Sequence, residues 1–128
     1  MSLIRVLVID NNADWRAYAE MLLNSRSITE IDTASTGLDG VRKATAFKQQ
    51  LVVVDIGLPD MTGVEAARQI RAVSPQSRLL LVSAHEDQDV SDAATAMGRC
   101  AFATKSRAAD ELSLAVTLAI LDLLPPQK

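Results

Sequence analysis

Apolar positions along the chain follow two alternating rhythms. Short, nearly unbroken apolar runs occur at Ile4–Asp10 (IRVLVID), Leu51–Asp55 (LVVVD) and Arg78–Ser83 (RLLLVS), with a briefer one at Cys100–Ala103. All four predict strands, and the continuous runs at Leu51–Asp55 and Arg78–Ser83 predict strands buried within a parallel sheet. Ile28–Ala34 (ITEIDTA) alternates instead, as a half-buried or edge strand does. Between these runs the apolar residues recur at helical spacing. Trp15, Tyr18, Ala19 and Leu22 share one helical face. A shorter, weaker helix over Leu38–Phe47 follows the turn Ser35-Thr36-Gly37. Thr62 and Glu65 stand as N-cap and N3 of a capping box, opening a helix with Val64, Ala67, Ile70 and Val73 inward; Pro75 lies just beyond its end. Residues 86–97 form an acidic-faced helix stopped by Gly98. The last helix, Arg107–Leu124, turns Leu112, Ala115, Val116, Ala119 and Leu123 inward. It also carries Leu114, Leu118, Ile120, Leu121 and Leu124, more than one apolar stripe requires. That surplus predicts contact with a second copy or a further domain.

Five strands alternating with five helices predict an α/β fold around a parallel sheet, with right-handed crossovers. One sequence does not reveal strand order. The common order at this size is the flavodoxin-like 2-1-3-4-5. The 128 residues suit one domain, with its core over about residues 4–123 and a tail at 124–128. No repeat or internal linker breaks it. The net charge of −3, without a basic run, argues against nucleic-acid binding by this chain alone. No apolar stretch approaches the roughly 18–20 residues of a membrane span, and MSLIRVLVID lacks the pattern of a signal peptide. The single cysteine, Cys100, lies in apolar RCAFA and reads as an inert thiol. A soluble, cytoplasmic domain is expected.

In such sheets ligands bind beyond the carboxyl ends of the strands, where the winding reverses. The first strand ends in Asp10, the third in Asp55 and the fourth in Ser83; the fifth is followed by Lys105. The second ends blandly in Ala34-Ser35. In the order 2-1-3-4-5, Asp10 and Asp55 fall on adjacent strands. Two neighbouring carboxylates repel unless a proton or cation intervenes. Few hard oxygen ligands suit Mg²⁺, which keeps waters and shares phosphate oxygens. A lysine and a hydroxyl suit the same phosphate. The set points to phosphoryl chemistry on an aspartate. Each member alone has a plainer use: Asp10 as a turn former or cap, Ser83 as an N-cap, Lys105 as a solvated cation. Their coincidence at one edge favours chemistry.

Asp55-Ile-Gly-Leu-Pro-Asp-Met-Thr-Gly63 resembles the D-x-x-M/L-P-x-x-x-G segment of bacterial response-regulator receiver domains. VLVIDNN at 6–12, LLLVSA at 79–84, Gly98 and Phe102-Ala-Thr-Lys105 follow in register, so the resemblance spans residues 4 to about 123. It implies the 2-1-3-4-5 fold and a phosphoaccepting switch in a two-component phosphorelay, loaded by a sensor histidine kinase or phosphotransfer protein. By position it implies Asp55 as phosphoacceptor. It implies Asp10, Asn11, Asp55 and the Gly57 carbonyl as the Mg²⁺ site, and Ser83, the Ala84 amide and Lys105 as phosphate contacts. Ser83 and Phe102 stand at the switch positions, although a core role would equally explain Phe102. Pro59 and Gly63 are expected to shape the loop after Asp55, proline by fixing φ and glycine by permitting φ > 0.

Three positions depart from the family pattern. Asn11 replaces an acid and brings no charge, which predicts weaker Mg²⁺ binding. Asp14 could supply a substitute carboxylate, but the dipole of the first helix already explains it. Ser106 stands where many receivers have proline and is expected to cap the last helix. Gly57 lacks a side chain, which predicts an open site and a short-lived phosphoaspartate. His85 reads as a solvated imidazole. No recognisable output segment follows the last helix, leaving a stand-alone receiver or a domain of a longer regulator. Asn11 keeps a second reading open, a pseudo-receiver acting as a protein-binding module. A small hydrolase is disfavoured by short loops, and a flavodoxin by DNNADW, which is no phosphate loop.

Overall fold

A computed structural model describes residues 3–125. The chain runs β1 (Arg5–Ile9), α1 (Ala13–Asn24), β2 (Glu30–Ala34), α2 (Gly37–Phe47), β3 (Leu51–Asp55) and α3 (Gly63–Val73). It continues through β4 (Arg78–Ser83), α4 (Gln88–Met97), β5 (Cys100–Thr104), a 3-10 turn at Lys105–Arg107 and α5 (Ala108–Leu121). The strands form one parallel sheet ordered β2-β1-β3-β4-β5, the flavodoxin-like order.

Side-chain alternation divides the core between the two faces of this sheet. Val6, Val8, Val53, Leu80 and Val82 point to the face covered by α1 and α5. Leu7, Ile9, Val52, Val54 and Leu81 point to the face covered by α2, α3 and α4. The three central strands are therefore buried on both sides, which explains their continuous apolar runs. β2, with Glu30 exposed and only Ala34 buried, is the half-polar edge its alternation predicts. The pairing Ile9↔Val54 sets β1 and β3 side by side. The order reverses between them, so the crevice falls beside the residues that follow Ile9 and Val54.

Four helices open on side-chain caps. Asn12, Thr36, Thr62 and Asp87 accept from the backbone N–H three residues on, at Trp15, Asp39, Glu65 and Val90. The capping box at Thr62 is half made: the Glu65 carboxylate accepts from Gln69 instead. Gly98 ends α4 at φ +73°, a conformation suited to glycine.

The structure corrects several expectations. Tyr18 is 40% exposed, and the inner stripe of α1 is Trp15, Ala19, Leu22 and Leu23. Leu123 is 51% exposed because α5 ends at Leu121 and the chain turns away before it. Ser106 does not cap α5. It lies within the 3-10 turn, and its hydroxyl pairs with that of Thr104 at 3.0 Å. Of the surplus stripe, Ile120 packs on the core and Leu118 is half-buried, whereas Leu114, Leu121 and Leu124 are exposed. Cys100 is half-buried, and burial pushes its thiol up to about 11 against the opposing charge of Arg71, which suits an inert group. No helix among the described residues is long and apolar enough to cross a membrane.

The loop after β3 folds back on itself. Gly57 and Thr62 form an antiparallel bridge, and Gly63 donates its N–H to the Ile56 carbonyl at 2.9 Å. Gly63 is required for close approach rather than for a positive φ: a Cβ there would collide with the Asp55 carbonyl oxygen and the Ile56 Cα. Backbone atoms cannot swing aside. Gly63→Ala should lower the unfolding free energy by about 1–3 kcal/mol in urea. Gly57→Ala has room, with Asp55 Oδ2 at 3.5 Å as its nearest neighbour. It should leave stability unchanged or raise it by up to about 1 kcal/mol.

Candidate functional site

Parallel pairing delivers Asp10 and Asp55 to the same edge of the sheet. Asp10 follows β1, where its N–H donates to the Ala34 carbonyl at 3.0 Å and its carbonyl accepts from Arg16 at 2.7 Å. The side chain is buried, with 0% residue exposure. Its Oδ1 accepts the Asn12 N–H at 2.8 Å, so it also forms a turn. Asp55 is the last residue of β3, 8% exposed, and its Oδ2 accepts the Gly57 N–H at 3.2 Å.

Lys105 reaches across from the end of β5. Its Nζ lies 2.8 Å from Asp10 Oδ2 and 3.3 Å from Asp55 Oδ1. One ammonium thus bridges two buried carboxylates, leaving the trio one negative charge in excess. Burial holds the Asp55 carboxyl above the usual range, and the neighbouring Asp10 charge adds to the rise; Lys105 and the Gly57 N–H oppose it. Burial pulls the Lys105 ammonium down, but its contacts with Asp10 and Asp55 outweigh that and leave it raised.

Asp10 Oδ2 has the Lys105 ion pair but no hydrogen bond of proper geometry. A buried carboxylate oxygen with unused acceptor capacity fits a small hard cation. Among the described residues no three His, Cys, Asp or Glu side chains group as metal ligands. A cation here would rest on two carboxylates, neighbouring carbonyl or amide oxygens and water. That sparse protein donor set fits Mg²⁺.

The other predicted residues take graded positions. Gly57 touches the site through its N–H. Asn11 is exposed at the rim, as is Asp14 in the first turn of α1. Ser83 ends β4, is buried, and accepts the His85 N–H at 3.2 Å rather than capping α4, which Asp87 does. Ala84 and His85 are exposed beyond it. Phe102 pairs with Leu81 in register and packs half-buried on the α2–α4 face. The contacts therefore unite Asp10, Asp55, Gly57 and Lys105, with Ser83 and Ala84 at the neighbouring strand end.

Sequence reasoning missed two contributors. The spacing of Trp15 places it in the core stripe alone, yet Lys105 Nζ lies over its ring, 5.0 Å from the centroid. Nothing in the apolar periodicity distinguishes an aromatic that serves core and site together. Arg16 braces the Asp10 carbonyl. Its place in the first turn after the strand was the available signal. Asp60 braces the adjoining loop, accepting from the Gly37 and Leu38 N–H groups at 2.8 and 2.9 Å.

A family model described as the response regulator receiver domain matches residues 6–117. A protein-glutamate methylesterase/protein-glutamine glutaminase of Vibrio parahaemolyticus is 39% identical over 85 residues, covering 66% of this chain and 23% of that protein. The chain therefore spans less than a quarter of the methylesterase's length. Chemotaxis protein CheY of Listeria monocytogenes is 27% identical over 110 residues, covering 86% of this chain and 92% of the relative. A response regulator receiver domain protein from Clostridium thermocellum superposes with a TM-score of 0.84 at 26% identity, covering 94% of this chain and 95% of that one.

The electrostatics predict opposite pH effects at two aspartates. Because the folded-state pKa of Asp55 is raised, its ionisation costs stability above the unfolded-state range near about 3.9. Asp55→Asn should therefore be more stable than wild type at pH 7 without added metal, and the gain should vanish below about pH 4. Asp32 is held low by its hydrogen bond to Arg5. Asp32→Asn should be less stable than wild type at pH 7, with the deficit shrinking as acid protonates the native carboxylate. Urea unfolding across pH tests both signs.

Proposed function

The chain belongs to the response regulator receiver domain family, and from that premise we propose that it is a phosphoaccepting switch with Asp55 as acceptor. Receiver domains work in two-component systems, exchange phosphoryl groups with histidine kinases or phosphotransfer proteins, and bind Mg²⁺. The observation that carries the reading to particular residues is the bridging of Asp10 and Asp55 by Lys105 at the sheet's switch point.

In the proposed reaction an Asp55 carboxylate oxygen attacks the phosphorus of a kinase phosphohistidine. An O–P bond forms, the N–P bond breaks, and the imidazole leaves with its electron pair. Mg²⁺, held by Asp10, Asn11, Asp55 and the Gly57 carbonyl, would supply charge neutralisation during transfer. Lys105 turns from Asp55 to pair with a phosphoryl oxygen. The Ser83 hydroxyl and the Ala84 N–H donate to the others, and Phe102 follows the inward movement of Ser83. The chain thus assists only its own phosphorylation and dephosphorylation and is no enzyme towards other substrates. We further assign residues 1–128 to one receiver domain with its core at about 4–123, acting in the cytoplasm. Its partners are a sensor histidine kinase or phosphotransfer protein. The exposed Leu114, Leu121 and Leu124 of the α5 region support a contact with a second copy or an output domain.

Two observations favour a second reading, a pseudo-receiver that binds proteins without phosphate control. Asn11 withholds one charge from the metal site, and Lys105 already pairs with both acids. Incubation with Mg²⁺ and acetyl phosphate decides between them. An acid-stable, base-labile adduct on Asp55, absent from Asp55→Asn, is expected; its absence from wild type would favour the pseudo-receiver. At about 4 Å a missing unit charge is worth roughly 1–4 kcal/mol for effective dielectrics of 80 to 20. Asn11→Asp should therefore tighten Mg²⁺ binding about fivefold or more by calorimetry. Gly57→Asn, which the structure has room to begin, should lengthen the phosphoryl lifetime relative to wild type.

A further inference from the structure

Lysine side chains are flexible and ordinarily sample several rotamers. Lys105 is nevertheless confined on three sides: Asp10 at 2.8 Å, Asp55 at 3.3 Å, and the ring of Trp15, whose centroid lies 5.0 Å from Nζ. Trp15 is the chain's single tryptophan and packs half-buried against the α1–α5 core. Its place is set by the same turn that sets Asp10. The Asn12 N–H donates to Asp10 Oδ1 at 2.8 Å, and the Asn12 side chain accepts from the Trp15 N–H at 3.1 Å. The contacts close a ring from Asp10 through Asn12 and Trp15 to Lys105 and back to Asp10.

We propose that Trp15 is a positioning residue for Lys105, its indole face holding the ammonium in the gap between Asp10 and Asp55. An aromatic face attracts a cation most where water is partly excluded, and the Lys105 side chain is only 24% exposed. The consequence for function rests on the receiver reading of this site; the geometry does not. With Asn11 in place of an acid, two carboxylates meet one fixed ammonium. Lys105 then competes with Mg²⁺ for Asp10 Oδ2, the buried oxygen that lacks a proper hydrogen bond. Trp15 strengthens the lysine's side of that competition. A core role for Trp15 explains its partial burial but not the placement of a cation over its ring.

The test separates the two. In a double-mutant cycle of Trp15→Leu and Lys105→Met, unfolded by urea without metal, loss of the indole should cost more when Lys105 is present. The excess should be a factor of about 2–30 in the folding equilibrium. Trp15→Phe, which keeps a weaker aromatic face, should retain part of the coupling and carries the same cycle if the leucine variant does not fold. Additive losses would overturn the positioning role. By calorimetry, Trp15→Leu should bind Mg²⁺ about 2–30-fold more tightly than wild type, and make no difference in the Lys105→Met background. A gain of affinity is not what structural damage produces. Equal or weaker binding with Lys105 present would overturn the competition. Absence of Mg²⁺ binding from all four proteins would instead overturn the receiver reading, and the urea cycle would still decide the role of Trp15.

Discussion

Two carboxylates are buried side by side at the end of the sheet, and one ammonium makes that arrangement tolerable. Burying an ion costs several kcal/mol unless close partners return the lost hydration. Asp10 has no exposure and Asp55 very little. Parallel pairing of β1 with β3 forces their proximity, because the residues after Ile9 and Val54 emerge together. Relief must then come from outside the pair. It comes from β5, with β4 lying between. Only a long side chain bridges that gap, and the 3-10 turn after β5 delivers one. The site thus depends on sheet order as much as on its own residues.

The opposite end of the sheet shows the contrast. There Arg5 and Asp32 form a paired, two-point bond, which Gln49 supports. Arg78 and Arg99 converge on Asp122, and Arg71 donates to four carbonyls of the loops at 75–77 and 98–99. Those acids are held below their usual range by their partners. There each of these acids meets at least one guanidinium, and the loops are tied down. At the edge that carries Asp10 and Asp55 one negative charge is left in excess, and Asp55 is pushed the other way. The excess negative charge lies where a bound cation would offset it. A local inconsistency of this kind in an otherwise consistent sequence is where a functional site is expected.

What was legible in the sequence follows from these constraints. The three central strands could be read because burial on both faces demands unbroken apolar runs. Asp10, Asp55 and Lys105 could be read because a single rule links strand ends to ligand sites. Other features depend on tertiary geometry that no local pattern encodes. Tyr18 and Leu23 lie about 140° apart on a helical wheel, on opposite flanks of the stripe of Trp15, Ala19 and Leu22, and the tilt with which α1 packs decides which flank is buried. Leu123 continues the helical spacing, but the helix stops two residues earlier. Ser106 has the chemistry of a cap, yet a 3-10 turn places it before the helix proper. Gly63 looked like a residue for unusual φ, whereas the Asp55 backbone passing beside it is what excludes a side chain.

Asn11 and Trp15 bear on the same balance from opposite sides. An acid at position 11 would deepen the negative charge and favour a divalent cation over a lysine. An amide there lowers the electrostatic gain from Mg²⁺ and leaves the gain from Lys105 largely intact, since Lys105 rests on Asp10 and Asp55. An aromatic wall behind the ammonium tilts the balance further towards lysine. On the proposed function, Lys105 and Mg²⁺ therefore contend for the same carboxylates in the resting site. Phosphorylation changes the terms, because a phosphoryl group adds nearly two negative charges and three strong acceptor oxygens to Asp55. Lysine and Mg²⁺ then no longer compete for one carboxylate oxygen and can both be satisfied. On that reading the amide at position 11 weakens metal binding less in the phosphorylated site than in the resting one, which makes the metal's contribution depend on the state of Asp55.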